Sequence, residues 1–153
     1  IALFMTFYVM TPTWINVYEN AIIPYQNKEI SQDIALKKGI DPFKTFMLKF
    51  TRQQDLALFI EFSRIPEVTD IKEVPIYVLI PAFMISELKT AFQIGFMLFI
   101  PFIVIDLVVS NILLSLGMFM LSPVMISLPF KILLFVLVDG WNLIVRGLLS
   151  GFQ

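Results

Sequence analysis

Charged side chains divide the chain into three blocks of very different polarity. The sequence has 11 basic and 12 acidic residues; positions 1–18 carry none of them, positions 19–73 carry 17, and positions 74–153 carry six. Apolar blocks of this kind are typical of helices buried in lipid or in other protein. The pattern predicts an apolar beginning, a polar middle and a long apolar end.

The apolar beginning is predicted to be the end of a membrane helix. Residues 2–10 are uncharged, and we expect the helix to stop at Thr11-Pro12 because proline lacks an amide hydrogen. Because Ile1 opens the sequence inside an apolar run, we expect a longer protein with an earlier segment upstream. Aromatic residues follow that are typical of a belt at the membrane–water interface, namely Trp14, Tyr18 and Tyr25.

The polar middle is predicted to be a small helical domain. Ser31 is a candidate N-cap of a helix that ends at Gly39, and Asp41-Pro42 has the residue types that begin the next helix. Two apolar stripes follow at helical spacing, Phe43, Phe46, Met47 and Phe50, then Leu56, Phe59, Ile60 and Phe62. A domain of about 50 residues has little core of its own. The stripes therefore either form that core or, through Phe46 and Phe59, contact another subunit.

The apolar end is predicted to form kinked helices and a hairpin. Residues 74–118 are compatible with helix, and we expect Pro81 and Pro101 to bend or break it. The uncharged stretch 90–105 is shorter than the ~20 residues of a plain spanning helix. The stretch 107–130 contains Gly117, Pro123 and Pro129, which indicates a turn. We expect helices 102–116 and 129–149 on either side of it, an all-α membrane fold, and no simple lipid-facing span.

Charged residues within these apolar helices are candidates for buried or intersubunit contacts. Glu87 and Lys89 are two positions apart, so they lie on different faces of a helix and each needs another partner. Alternatively, both lie near a helix end in the headgroup region. Asp106 and Asp139 are expected at a similar height in the hairpin, with Lys131, from this copy of the chain or the next, as the candidate cation between them.

The turn of the hairpin carries bulky apolar side chains where polar ones are usual. Met118, Phe119 and Met120 either bury this turn against the helical bundle or, in several copies, form a soft ring that closes a pore. Methionine suits a ring of this kind because its flexible side chain repacks easily. Both alternatives are compatible with the sequence.

Composition narrows the class of protein further. The hydrophobic fraction is 58% and the mean hydropathy is +0.86, more than a soluble domain of this size can bury. Histidine and cysteine are absent from the sequence, which removes the commonest general base, metal ligands and a nucleophile. A net charge of −1 does not favour nucleic acid as a partner. We therefore expect a membrane subunit without a cofactor, rather than an enzyme.

Three segments resemble the signature sequences of one protein family. They are PAFMISELKTAFQIGF at 81–96, PFIVIDLV at 101–108 and LPFKILLFVLVDGW at 128–141. In this order they resemble the FliP family of flagellar type III export-gate proteins, over roughly residues 10–152. The homologous injectisome family, SctR, shares the framework, but the LPFK and LVDGW segments look more like the flagellar form.

The resemblance implies a function that composition cannot reveal. FliP-like subunits assemble as a pentamer with FliQ and FliR, beside FlhB and other export-apparatus proteins, in the bacterial inner membrane at the flagellar basal body. Together they form a closed helical channel for unfolded flagellar proteins. Segment 19–73 would then face the periplasm, and Met118, Phe119 and Met120 would form the constriction. The family commonly has methionine where this chain has Phe119.

Two other classes of function make different predictions from these residues. An ion-coupled transporter or channel would use Asp106, Asp139 and Lys131 as a relay and would show internal repeats, of which the sequence has no convincing example. A membrane enzyme would need a nucleophile and base, which are not recognisable here. The export gate is the interpretation that the motifs favour.

Overall fold

The computed structural model describes residues 1–63 and 70–152, and this part of the chain is helical without strands. Helix α1 (Ala2–Val17) continues through a π-helix (Tyr18–Ile22) into the short α2 (Ile23–Gln26). Helices α3 (Gln32–Phe50) and α4 (Gln53–Phe62) follow, then a 3₁₀ turn (Ile71–Glu73), α5 (Ile76–Ser115), α6 (Pro123–Leu137) and α7 (Gly140–Ser150). The chain divides into two compact units, Ile1–Lys89 and Thr90–Gln153.

Prolines do not end helices where the sequence predicted. Helix α1 passes through Pro12, α3 passes through Gly39 and Pro42, and α5 passes through Pro81 and Pro101. The predicted stop at Thr11-Pro12, the break between Gly39 and Pro42 and any break in α5 are therefore wrong. Each proline removes one backbone hydrogen bond. Ending a helix leaves several backbone groups unsatisfied, which costs more wherever water is excluded.

The long helix α5 is continuous, in contrast to the interrupted helices that the sequence predicted. Its 40 residues make it long and apolar enough to cross a membrane. At 1.5 Å per residue it extends about 60 Å, roughly twice the thickness of a hydrocarbon core. Helices α6 and α7 are long and apolar enough to cross a membrane only when they are taken together, across a bend of 62°.

The first unit has its core where α3 and α4 meet the beginning of α5. Buried side chains there are Leu56, Val74, Val78, Leu79 and Ala82, and Met47, Leu48, Phe59 and Ile60 pack against them. Helix α1 joins this unit through an edge-on contact of the Trp14 and Phe43 rings, whose centroids are 5.2 Å apart. The α4 stripe thus forms core as far as Ile60, whereas Phe62 is 77% exposed.

The three residues that were predicted to form an aromatic belt all remain accessible to solvent in this fold. Trp14, Tyr18 and Tyr25 are each about half exposed. Ser31 is the N-cap residue of α3, as predicted, although its side chain makes no capping hydrogen bond. The polar segment 19–73 is helical in its described part, and it lies in one compact unit with residues before and after it in sequence.

Candidate functional site

The tip of the hairpin between α5 and α6 is closed by a glycine in the left-handed region. Gly117 has a φ of 72°, and its amide donates to the Leu114 carbonyl at 3.1 Å while the Met118 amide donates to the Leu113 carbonyl at 2.9 Å. This pair of bonds is the Schellman arrangement, which satisfies the last carbonyls of a helix. The chain turns over residues 116–122, and Pro123 begins α6 at a position where proline is favoured. The return helix therefore starts six residues earlier than the sequence predicted.

The apolar residues at this tip are open on the surface of the single chain. Phe119 is 77% exposed and Met120 is fully exposed, while Met118 is 45% exposed. This turn is therefore not buried within the single chain. Three large apolar side chains at a turn are an unusual surface for contact with water, and they remain available to other chains.

An ion pair joins the two helices of the hairpin below the tip. The Lys131 ammonium donates to Asp106 Oδ2 at 2.7 Å, and the buried Ser127 hydroxyl donates to Asp106 Oδ1. Ser127 lies one turn before Lys131, so α6 presents both donors to α5 from one face. The expected pairing of Asp106 with Lys131 is present within one copy of the chain. The contribution of Ser127 was not foreseen, although its spacing from Lys131 was a usable signal.

The sequence predicted Asp139 beside Asp106 and Lys131, but the structure does not place it there. The return helix breaks at Asp139. Asp139 has a φ of 50° and is the N-cap residue of α7, with its side chain exposed. The next residue, Gly140, is buried under the ring of Phe135, where an added Cβ would lie 2.2 Å from the nearest ring carbon. Phe135 also meets the ring of Trp141 edge-on at 5.5 Å. This packing favours a sharp corner rather than one straight helix.

A second polar network lies in the first unit, at the beginning of α4. The Arg52 amide donates to Ser86 Oγ at 3.0 Å, the Ser86 hydroxyl donates to Asp55 Oδ2 at 2.9 Å, and the Lys89 ammonium donates to Asp55 Oδ1. The hydrogen bond from Lys89 holds the pKa of Asp55 below its ordinary value of 3.8, against the opposing effect of burial. Sequence reasoning missed Asp55 and Ser86, since their pairing depends on contact between α4 and α5.

This network is a capping box in which a residue of another helix takes part. In the usual box the side chain of the third helical residue accepts from the N-cap amide. Here Arg52 is the N-cap and Asp55 is the third residue of α4, and the hydroxyl of Ser86 lies between them. Asp55 and Ser86 are both buried. The arrangement therefore couples the start of α4 to one position along α5.

The remaining predicted site residues occupy separate places in the first unit. Lys89 has its partner in another helix, as expected, but its side chain is half exposed. Lys89 and Asp139 were both predicted to be buried, and both are exposed in the single chain. Glu87 is partly buried and lies in the electrostatic field of Arg52. Phe46 contacts the rings of Phe50 and Phe83, so part of its surface is already used within the chain.

The described residues form helices, and α5 is long and apolar enough to cross a membrane, which defines the class as a helical protein with a candidate membrane span. Comparison with protein families matches residues 1–148 to the FliP family. The chain is 56% identical to "Flagellar biosynthetic protein FliP" of Bacillus subtilis (strain 168), over 99% of this chain and 69% of the relative. The chain belongs to the FliP family.

Two further relatives of the same name extend this similarity across bacteria. The protein of Pectobacterium carotovorum is 52% identical over 99% of this chain and 59% of the relative. The protein of Buchnera aphidicola subsp. Acyrthosiphon pisum is 47% identical over the whole of this chain and 40% of the relative. The chain therefore spans between two fifths and about two thirds of the length of these relatives.

Proposed function

We propose that this chain is a subunit of the flagellar type III protein export gate, forming with FliQ and FliR a closed channel for unfolded flagellar proteins. The observation that carries the proposal is the hairpin tip, where Met118, Phe119 and Met120 are exposed at a turn whose backbone is held by the Schellman bonds of Gly117. Membership of the FliP family supports the flagellar assignment over the injectisome alternative.

The tip has the properties that a deformable seal requires. An apolar constriction blocks water and ions by dewetting, without needing a charged gate. Burying one methionine or phenylalanine side chain contributes about 1.5–3 kcal/mol, so several tips that meet on an axis hold one another closed. The methionines bend readily around a passing chain. Phe119 is stiffer, and we expect it to seal as well as methionine while adapting less.

The helices that carry the tip support it as a rigid frame. The Asp106–Lys131 pair and the Ser127 hydroxyl fix how α5 and α6 lie beside each other. Because the two charges neutralise each other within one chain, they do not resemble the unpaired acid of an ion relay. We propose that this pair is a strut that holds the tip at one height in every copy.

Assembly with other chains completes the proposed gate. We propose a pentamer in the bacterial inner membrane at the flagellar basal body, surrounded by lipid and in contact with FlhB and other export-apparatus proteins. In this arrangement residues 19–73 face the periplasm. Glu87, Lys89, Phe46 and Phe59 are the proposed subunit contacts, since each keeps accessible surface in the single chain.

Export of flagellin tests the proposal in cells. In a strain that lacks its own copy, the full-length protein should restore motility and secreted flagellin. A variant with Met118, Phe119 and Met120 all changed to alanine should assemble but let small ions and dyes cross the inner membrane. The matched control changes Met97 and Phe99 to alanine, two exposed apolar residues of α5 away from the tip. Failure of the full-length protein to restore secretion would contradict the assignment.

A further inference from the structure

Two opposite charges in the second unit have no side-chain partner among the residues that the structure describes. They are Asp139 and Arg146, and both are exposed. The other two charges of this unit, Asp106 and Lys131, are paired with each other. The charged Arg146 guanidinium needs an anion or water wherever it lies.

Helix α7 turns its polar side chains away from its own unit. Asn142, Arg146 and Ser150 recur at intervals of four residues and are all exposed, so they form one line along the helix. The half-buried apolar side chains of this helix are Ile144, Val145, Leu148 and Leu149. Of these, Ile144 and Leu148 lie opposite the polar line. On that inner side Gly147 approaches Ile94 of α5, since a Cβ on it would lie 4.0 Å from Cγ2 of Ile94. The polar line is thus free for contact with another molecule.

Asp139 lies at the beginning of the same line. Its carbonyl accepts from the amides of Asn142 and Leu143 at 3.0 and 3.2 Å, which makes it the first residue of the turn. Seven residues separate Asp139 from Arg146, nearly two helical turns, so they share one side of α7. One exposed edge therefore carries an anion at one end and a cation at the other, with the Asn142 amide between them.

The apolar surroundings of this edge favour a protein partner. Helices α6 and α7 together have the length and composition of a span that is bent at Asp139. Charges within such segments face protein or a water-filled cavity rather than lipid, and they pair with one another. An edge with opposite charges at its two ends is complementary to itself in a head-to-tail arrangement. Contacts of this kind form a ring when the rotation between copies closes and an open helical assembly when it does not.

We propose that the Arg146 guanidinium of one copy pairs with the Asp139 carboxylate of a second copy of this chain. This inference rests on the proposed function, since it takes the partner to be the neighbouring subunit of the export gate. The α6–α7 corner would then set the neighbour's position.

Crosslinking between two differently tagged copies tests this contact, and these 153 residues contain no cysteine that would compete. One copy carries Asp139→Cys and the other Arg146→Cys, and membranes from cells making both are treated with a short thiol-reactive crosslinker. A spacer is needed because paired Arg and Asp side chains hold their Cβ atoms farther apart than the ~3.8 Å of a disulfide. The proposal predicts a mixed dimer that contains both tags. The matched control pairs Asp139→Cys with Leu148→Cys, on the inner face, and should crosslink at least fivefold less.

Charge exchange gives a second, independent measurement in the intact cell. Asp139→Arg alone and Arg146→Asp alone should each lower secreted flagellin at least fivefold, and the double variant should restore most of it. No mixed dimer, or a double variant no better than the singles, would overturn the contact. If secretion is normal in both single variants, the charges face water or headgroups and the contact is likewise overturned. None of these outcomes affects the export gate itself, which is tested at the hairpin tip.

Discussion

Lys131 and Asp106 hold the two helices of the hairpin together, with Nζ of the lysine 2.7 Å from Oδ2 of the aspartate. The two residues are 25 positions apart in sequence, so their contact fixes the height at which α6 returns along α5. Their side chains keep 18% and 26% of their accessible surface, which makes the pair largely but not fully screened from solvent. The hairpin is therefore held by a specific polar contact as well as by apolar packing.

Removing one partner of this pair should weaken the hairpin. Asp106→Asn leaves the Lys131 ammonium without a counter-charge, and loss of one partner costs more than loss of both. We expect a lower Tm for the purified protein in detergent and a lower yield of assembled complex. Asp106→Asn combined with Lys131→Met should recover part of both losses. If Asp106→Asn leaves Tm, assembly and flagellin secretion unchanged, the strut is not needed.

Ser86→Ala tests the shared capping box of the first unit. The change removes the acceptor of the Arg52 amide and a donor to the Asp55 carboxylate. Leaving a buried polar group unsatisfied costs about 1–3 kcal/mol, and we expect a loss of stability of that size. Ser115→Ala is the control, since the exposed Ser115 hydroxyl bonds only the Asn111 carbonyl of its own helix. Equal Tm values for the two variants would contradict the role of Ser86.

Stability should depend on the ionisation of Asp55 at low pH. Its pKa in the folded chain lies below the ordinary value because the Lys89 ammonium donates to its carboxylate. The stabilising contribution is therefore complete above about pH 4 and is lost as the pH falls through the lower, folded value. The difference in Tm between the parent protein and Asp55→Asn should be constant from pH 7 to 5 and shrink below pH 4. If the difference in Tm between the two proteins grows as the pH falls, the ionised Asp55 carboxylate does not stabilise the fold.

The tip should depend on the left-handed glycine at its start. Gly117 has a φ of 72°, and a side chain in this region costs about 1–2 kcal/mol. Gly117→Ala should lower the Tm and raise proteolysis at residues 116–122. Gly95→Ala is the matched control, because a Cβ there meets nothing within 4 Å, and it should stabilise α5 by about 0.5–1 kcal/mol. If both variants behave alike, the Schellman turn does not fix the tip.

Local sequence signals predicted the helical class and the hairpin but misplaced the breaks. Pro12, Pro42, Pro81 and Pro101 all lie inside helices, since a proline removes only one hydrogen bond and the surrounding helix is kept by its other bonds and contacts. The actual corner is at Asp139, which no proline marks. The signal that could have found it is the Asp139-Gly140 dipeptide, a common turn pair.

The sequence predicted the contacts between helices only in part. The Asp106–Lys131 pair followed from assuming that two helices return along each other, because apolar surroundings leave few partners for a charge. Asp55 lies in the polar middle, where an unpaired aspartate costs little, so nothing in its neighbours indicated burial. Its partner Ser86 is 31 residues away, and only the packing of α4 on α5 brings them together.

Ion conductance of the purified complex tests the seal at Met118, Phe119 and Met120 most directly. The complex of the full-length protein is reconstituted in planar bilayers, and the parent is compared with the triple alanine variant and with the Met97 and Phe99 control. Phe119→Met is included, because a methionine should seal as well as the phenylalanine. We expect no conductance for the parent, the control and Phe119→Met, and a steady leak for the triple variant. A triple variant as tight as the parent would contradict a seal at the hairpin tip.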